Sequence, residues 1–309
     1  MRIITLTLNP AFDVHCHVAD FKAEHEHLAT VTSRDAGGKG VNISRALTAN
    51  GVDNTALIVL GSENAADFRR ALATDGMSWR EVEVAGRIRE NITVHTDRGA
   101  ETRISFTGFC ADDALLSRVA EALAREPLGD SVITFTGRVP DGLSMESVKR
   151  FLGEQAARGA RIVIDSKSFT LRELIECRPY LIKPNGEEIA DYLGKSIETL
   201  AEAAQAAQAL HAAGIENVMI SLGACGAVLS CAEGTFSASA PGVSVRSSIG
   251  AGDSSIAGFL AGASRKEGKA ACLARAVAYG SAACMTEGTK PPSRDVIDGL
   301  LSQITVEKI

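Results

Sequence analysis

Short apolar runs recur along the chain at Ile3–Leu8, Thr55–Leu60, Val132–Phe135, Arg161–Ile164 and Val218–Leu222. They are nearly continuous in hydrophobic character and too short for core helices, the pattern of strands buried on both faces. Between and after them lie longer stretches with helical spacing: Asn64–Asp75, Asp112–Arg125, Met145–Arg158, Ile197–Ala213 and Ala270–Thr286. Strand and helix in alternation predict an α/β domain with a mostly parallel sheet and helices on both faces. In such sheets ligands bind outside the carboxyl ends of the strands, so the chemistry is expected just after strands.

Two regions break this rhythm. Val14–Asp35 and Asn91–Phe106 tend to alternate apolar with polar side chains and show no helical period. They predict antiparallel strand pairs standing apart from the main sheet, a small β lid suited to a reaction that excludes water. The alternative is that they are edge strands of the main sheet.

Composition narrows the class. Of 309 residues, 45% are hydrophobic and 23% charged, the make-up of a soluble globular enzyme with a sizeable core. A net charge of −6 argues against a general nucleic-acid binder, which presents a basic face. The seven cysteines are scattered without a C-x-x-C pair, as expected of reduced thiols in a cytoplasmic protein rather than a disulfide frame or zinc site. The opening MRIITLTLNP reads as a strand, not a signal peptide. The small-residue stretch Gly258–Met285 is interrupted by Arg265, Lys266, Glu267, Lys269 and Arg275, so no membrane span is expected.

Four glycine-bearing turns carry the candidate chemistry. In Gly250-Ala251-Gly252-Asp253, leading into a helix over Ser255–Ala263, glycines let backbone N–H groups approach a ligand, and the helix dipole favours an anion. Asp253 is placed to take a proton from an attacking hydroxyl; the structural alternative is a helix N-cap. Gly37-Gly38-Lys39-Gly40-Val41-Asn42 also enters a helix, Ile43–Ala49, but lacks the Ser or Thr that must follow the lysine of a Walker A loop. Lys39 and Asn42 are suited to sugar hydroxyls or phosphate, unless this is only a glycine-rich turn. In Lys183-Pro184-Asn185-Gly186-Glu187-Glu188, after a strand over Tyr180–Ile182, Asn185 and Glu188 have the spacing either of a capping box or of a pair holding waters around Mg²⁺. Ser221-Leu222-Gly223-Ala224-Cys225-Gly226 permits backbone approach to a nucleotide or, alternatively, makes a hairpin turn into Ala227–Ser230.

Cations supply the remaining candidates. Arg89 and Arg103 lie in or beside the lid and Arg138 follows the Val132–Phe135 strand, and guanidinium suits forked contact with phosphate. His15/His17 and His25/His27 alternate at strand spacing and, without further ligands, read as exposed lid residues. No G-x-G-x-x-G follows the first strand, which argues against an NAD-linked enzyme.

Taken in order, these motifs resemble the ribokinase-like carbohydrate kinases, and most closely their phosphofructokinase B branch, over nearly the whole chain. Thr5-Leu6-Thr7-Leu8-Asn9-Pro10-Ala11-Phe12-Asp13 is similar to the hexose-phosphate kinases of that branch rather than to ribokinase. The resemblance implies a three-layer α/β/α domain over residues 1–11, 36–88 and 109–309, with a β lid over 12–35 and 89–108 that often forms a homodimer interface. It implies ATP and Mg²⁺, with Asp253 as base and Gly250, Ala251 and Gly252 as the anion hole. Asp13, Gly38, Lys39 and Asn42 would contact the sugar, and Arg89 and Arg103 its existing phosphate. Lys183, Asn185, Ser221, Gly223 and Gly226 would serve the nucleotide, with Gly280, Ser281 and Ala282 near the adenine. Asn185 and Glu188 would hold Mg²⁺ through water. The implied reaction is fructose 1-phosphate to fructose 1,6-bisphosphate. Tagatose 6-phosphate or fructose 6-phosphate are alternative acceptors, ahead of an unphosphorylated sugar or a non-catalytic sugar-phosphate-binding regulator. Neither nucleic acid nor membrane is an expected partner.

The chain departs from the branch's pattern in places. Thr136-Gly137-Arg138-Val139-Pro140 stands where Ser-Gly-Ser-Leu-Pro is usual, and Asp165-Ser166-Lys167 where Asp-Ser-Ser is common. Both changes add a cation near the expected active face.

Overall fold

The computed structural model describes residues 1–99, 101–125 and 128–309, so residue 100 of the expected lid lies outside it. Its first part runs β1 (Arg2–Thr7), β2 (Ala11–His17), β3 (Thr30–Gly37), α1 (Lys39–Ala49), β4 (Asn54–Gly61), α2 (Ala65–Ala73), β5 (Trp79–Val84), β6 (Arg89–His95) and β7 (Glu101–Ser105). There follow α3 (Asp113–Ala124), β8 (Ser131–Thr136), α4 (Met145–Ala157), β9 (Ala160–Asp165), α5 (Leu171–Cys177), β10 (Leu181–Ile182), α6 (Gly186–Leu193) and α7 (Leu200–Ala212). The last part is β11 (Asn217–Ser221), β12 (Ala227–Cys231), β13 (Gly234–Ala238), α8 (Ala251–Ser264), α9 (Lys269–Cys284), α10 (Arg294–Leu301) and β14 (Val306–Lys308).

A 10-stranded sheet in the order β14-β13-β12-β11-β10-β9-β8-β1-β4-β5 forms the middle layer. From β5 to β11 every pairing is parallel; only β12, β13 and β14 turn antiparallel at one edge. Side chains divide by the two-residue period of a strand. Along β1, Ile3 joins a core with Ile43, Leu47, Phe259 and Tyr279 on the α1/α8/α9 side, whereas Ile4 and Leu6 join Val119, Phe151 and Leu210 on the other. Burial on both faces explains the unbroken apolar runs.

Helices α8 and α9 pack closely because small residues line their contact. A Cβ on Gly258 would stand 2.5 Å from the Arg275 carbonyl oxygen, and one on Gly280 would stand 2.3 Å from Ser255 Oγ.

A separate four-stranded sheet, ordered β3-β2-β6-β7, stands beside the main one. Its halves are antiparallel pairs, β2/β3 and β6/β7, and β2 runs parallel to β6 across the join. These segments are therefore not edge strands of the main sheet. Phe12, Val14 and Ala36 pack this sheet onto Ile58 and Phe68, while β7 is exposed along its length. Among the described residues no helix is long and apolar enough to cross a membrane, and all seven cysteines are free thiols.

Candidate active site

Strand β1 lies between β4 on one side and β8 on the other, so the chain leaves it in opposite directions. At such a switch point the carboxyl ends diverge and leave a crevice. Here a cleft of about 850 Å³ opens there, under the smaller sheet. That volume suits a nucleotide-sized ligand with a small co-substrate.

Asp253 lies in the cleft wall. Gly250, at φ +79°, caps α8, which begins at Ala251 rather than at the expected Ser255. Asp253 therefore sits inside the first turn and is not the N-cap. Helix starts leave N–H groups without intrahelical partners, an electropositive patch beside this carboxylate. Gly252 lets Lys183 approach closely, since a Cβ there would stand 3.0 Å from Lys183 Nζ.

Asn42 Nδ2 donates to Asp253 Oδ2 at 2.9 Å. Its own orientation is fixed by Arg45, whose Nη1 donates to Asn42 Oδ1 at 3.2 Å while Nη2 is held by Asp75 at 2.7 Å. Burial is the largest influence on Asp253 and raises it; Lys39 opposes and Asp165 reinforces the rise, leaving the carboxyl at about 6. A carboxylate tuned this close to neutrality can accept a proton from a hydroxyl.

Lys39 Nζ donates to Asp165 Oδ2 at 2.8 Å. Lys39 stands in the first turn of α1 because Gly38, at φ +119°, lets the helix start there, one turn ahead of the expected Ile43. Burial works against the charge of both partners, but their attraction prevails. Asp165 lies below the usual carboxylate range through Lys39 and Lys183, and Lys39 is raised through Asp165 and Asp253. Lys183 is itself buried and lines the same cleft.

The smaller sheet closes the other end. Asp13 Oδ1 accepts from Asn91 Nδ2 at 2.9 Å and lies 3.7 Å from Arg103. Gly37 makes room for this carboxylate: a Cβ would stand 2.1 Å from Asp13 Oδ2. Arg89 reaches the Phe106 carbonyl at 3.2 Å. Burial, with Arg138 and Arg103 nearby, lowers Arg89 against the pull of Asp13. Thr7 Oγ1, Asn9 Oδ1, Thr136 Oγ1 and Arg89 Nε are buried around the cleft without hydrogen-bond partners. Polar atoms desolvated in this way are costly until a ligand satisfies them.

Of the residues singled out from sequence, Asp13, Gly38, Lys39, Asn42, Arg89, Arg103, Lys183, Asn185, Glu188, Gly250, Gly252 and Asp253 converge on this one cleft, and Ala251 joins Gly250 and Gly252 as the first residue of α8. Others stand apart from its walls. Ser221, Gly223 and Gly226 form the β11–β12 hairpin, the structural alternative, tied to the site by a bridge between Ser221 and Asn185. Gly280 serves the α8/α9 contact, Ala282 is fully buried in the core, and Ser281 is half-buried on α9. The Asn185/Glu188 capping box is present, with Glu188 Oε2 accepting from the Asn185 N–H at 3.0 Å. Among the described residues no three His, Cys, Asp or Glu side chains form a metal cage. His15 is half-buried, its ring nitrogen meeting that of His95 at 2.9 Å, whereas His17, paired with Asp97 at 2.8 Å, keeps the exposed side chain expected of it.

Asp165, Thr7, Asn9 and Thr136 stood in recognised motifs and Asn91 at the start of a lid segment, but none had a role assigned from sequence. Asp165 had a readable signal, an acid ending the apolar run of β9 at the carboxyl edge of the sheet.

A helix start with N–H groups free of intrahelical partners, a buried carboxyl raised to about 6 and a cluster of cations at the switch point of an α/β sheet suit a small-molecule phosphotransferase. The chain belongs to the pfkB family of carbohydrate kinases, whose model matches residues 8–295. It is similar to the 1-phosphofructokinase of Escherichia coli strain K12, 30% identical over 308 residues covering 99% of this chain and 98% of that one. It is also similar to the 1-phosphofructokinase of Bacillus subtilis, 30% identical over 99% of this chain and 100% of that one. Among solved structures, phosphofructokinase-2 from Escherichia coli in complex with potassium superimposes with a TM-score of 0.91 at 25% identity, covering 98% of both chains. The family, fold and kinase class implied by the sequence motifs all hold.

Proposed function

We propose that this kinase transfers the γ-phosphoryl group of ATP to a hydroxyl of a hexose phosphate, converting fructose 1-phosphate to fructose 1,6-bisphosphate. The observation that carries the reading is Asp253, buried in the first turn of α8, held by Asn42 and raised to about 6. The names of the relatives support the acceptor, and the arginines at the lid end of the cleft support a substrate already bearing phosphate.

In this mechanism Asp253 takes the proton as the acceptor hydroxyl attacks. The N–H groups of Ala251 and Gly252 and the ammonium of Lys183 stabilise charge on the phosphoryl oxygens. Lys39 is held by Asp165 beside Asp253, so the base works next to a fixed positive charge. Asp13, Gly38, Lys39 and Asn42 orient the sugar, and Arg89 and Arg103 hold its phosphate. Nucleotide contacts by Asn185, Ser221, Gly223 and Gly226, and an adenine beside Gly280, Ser281 and Ala282, complete the proposal. The oxygen donors near the triphosphate end, Glu188 and Asn185, are partly engaged with each other, which suits a Mg²⁺ that keeps most of its waters. That ion would neutralise phosphate charge. The smaller sheet serves as lid. Its uncovered apolar side chains, Val31, Ile104 and Phe106, support a homodimer formed through it, and the free thiols support a cytoplasmic setting.

The test is ADP release across fructose 1-phosphate, fructose 6-phosphate, tagatose 6-phosphate and fructose. Highest kcat/KM on fructose 1-phosphate is expected. Preference for a 6-phosphate reassigns the acceptor, and preference for fructose removes the phosphate contact from the proposal.

A further inference from the structure

The loop after β8 presents a residue that the mechanism above does not use. Gly137, at φ +87°, turns the chain out of the strand, and its N–H donates to the Asp165 carbonyl at 3.0 Å. On the other side of Arg138, the Val139 N–H donates to Ser168 Oγ at 3.2 Å. The Arg138 backbone is thus fixed from both sides. Farther along, the Asp141 carbonyl accepts from the Ala111 N–H at 2.8 Å. Gly142 permits this approach, since a Cβ there would stand 2.4 Å from the Ala111 carbonyl oxygen. That contact pins the loop to the segment returning from the lid, in which Gly108 packs against the Arg89 side chain.

The side chain itself is half-exposed and lines the cleft with Arg89 and Arg103. Its neighbour is Asp141, at 3.0 Å, three residues on along the same loop and also half-exposed. Pairs of this kind are weak and readily exchanged for a better anion. Three guanidinium groups therefore gather at one end of the cleft, with Asp13 and Asp141 as their only carboxylate contacts in hydrogen-bond or ion-pair range among the described residues. An excess of fixed positive charge there is relieved by a dianion, and forked guanidinium donors match the oxygens of a phosphate monoester.

We propose that Arg138 is a third guanidinium of the acceptor's phosphate site, a specificity-determining residue that makes this cleft favour a phosphorylated over an unphosphorylated sugar. The proposal rests on the sugar-kinase reading and extends it to a position where the branch usually carries serine. Arg138 leaves Asp141 for the incoming phosphate, while the backbone contact between Asp141 and Ala111 keeps the loop in place.

The experiment compares the full-length protein with Arg138→Ser and Arg138→Lys, by calorimetric titration of fructose 1-phosphate without nucleotide and by steady-state ADP release. Serine restores the usual side chain at this position and leaves only half-exposed Asp141 without a partner, so folding is expected and is checked by thermal midpoint. Charge-assisted contacts of this class predict a rise of about tenfold or more in both Kd and KM for fructose 1-phosphate in Arg138→Ser, with part recovered in Arg138→Lys. KM for ATP stays within about twofold, and kcat/KM on unphosphorylated fructose changes far less. A KM for fructose 1-phosphate within about twofold of wild type overturns the proposal, as does a rise confined to the ATP KM. If the wild type binds fructose 1-phosphate but does not phosphorylate it, and Arg138→Ser still weakens binding, the phosphate site stands and the acceptor assignment fails. If the wild type turns it over and Arg138→Ser is indifferent, the reverse holds.

Discussion

Replacing Asp253 by asparagine separates two consequences of burying a carboxylate. Asparagine keeps the shape and an oxygen for the Asn42 amide to donate to, but removes the charge and the ability to accept a proton. The ordinary value of 3.8 rises to about 6 in the folded chain, and at about 1.4 kcal/mol per pH unit the ionised form costs stability by about 3 kcal/mol. Between these two values the folded state binds more protons than the unfolded chain, so this group makes stability fall as pH rises. The cost is about 1 kcal/mol at pH 4.5 and reaches about 3 kcal/mol by pH 7.5. Asp253→Asn is relieved of it. At this chain length about 2 °C accompanies each kcal/mol, so the variant's thermal midpoint should exceed wild type by up to about 6 °C at pH 7.5 and by about 2 °C at pH 4.5. Turnover should fall by about 10²–10⁴-fold, the scale of a positioned base, with ATP binding retained. In wild type, kcat at saturating substrates should decline below about pH 6. Differential scanning fluorimetry at the two pH values, paired with ADP-release rates, makes the measurement. A stability difference independent of pH, or near-normal turnover, refutes the reasoning.

Three further outcomes follow from the same geometry. Lys39→Met leaves Asp165 buried without its closest partner, at a cost of about 3–5 kcal/mol, and removes a positive charge that holds Asp253 down; denaturant unfolding should show the loss, and the acid limb of kcat should move to higher pH. Arg89→Ala should raise KM for the phosphorylated sugar roughly 10- to 100-fold, with little effect on an unphosphorylated one, as read from paired KM values. Gly258→Ala drives a methyl group toward the Arg275 carbonyl, 2.5 Å away, and should cost about 1–3 kcal/mol; an unchanged thermal midpoint would show that α8 and α9 can part without penalty.

The sequence revealed most about structure where one residue type has one physical use. Apolar runs such as β8, buried at every position, announce a parallel sheet because water touches neither face. Glycines at helix starts marked the chemistry for the same reason: Gly38 and Gly250 serve backbone conformation and Gly252 close approach. Their consequence for helix length was less visible. A glycine cap lets α1 and α8 begin a turn early, and propensity alone does not report that. The parallel join of β2 to β6 was hidden because alternation identifies a strand but not its neighbour. Asn91 was missed similarly: nothing local distinguishes an amide that meets Asp13 across that join. Gly223 and Gly226 close the β11–β12 hairpin, and the glycines of such a turn can also admit a nucleotide, so one dimension does not separate the two uses.

A structure of the protein with fructose 1-phosphate and a non-hydrolysable ATP analogue bears most directly on the mechanism. The free acceptor hydroxyl should lie within about 3 Å of an Asp253 oxygen. The sugar's own phosphate should sit among Arg89, Arg103 and Arg138, and the terminal phosphate of the analogue over the N–H groups of Ala251 and Gly252. A sugar bound with its hydroxyls turned from Asp253, or a nucleotide seated away from the glycine turn, would contradict the mechanism.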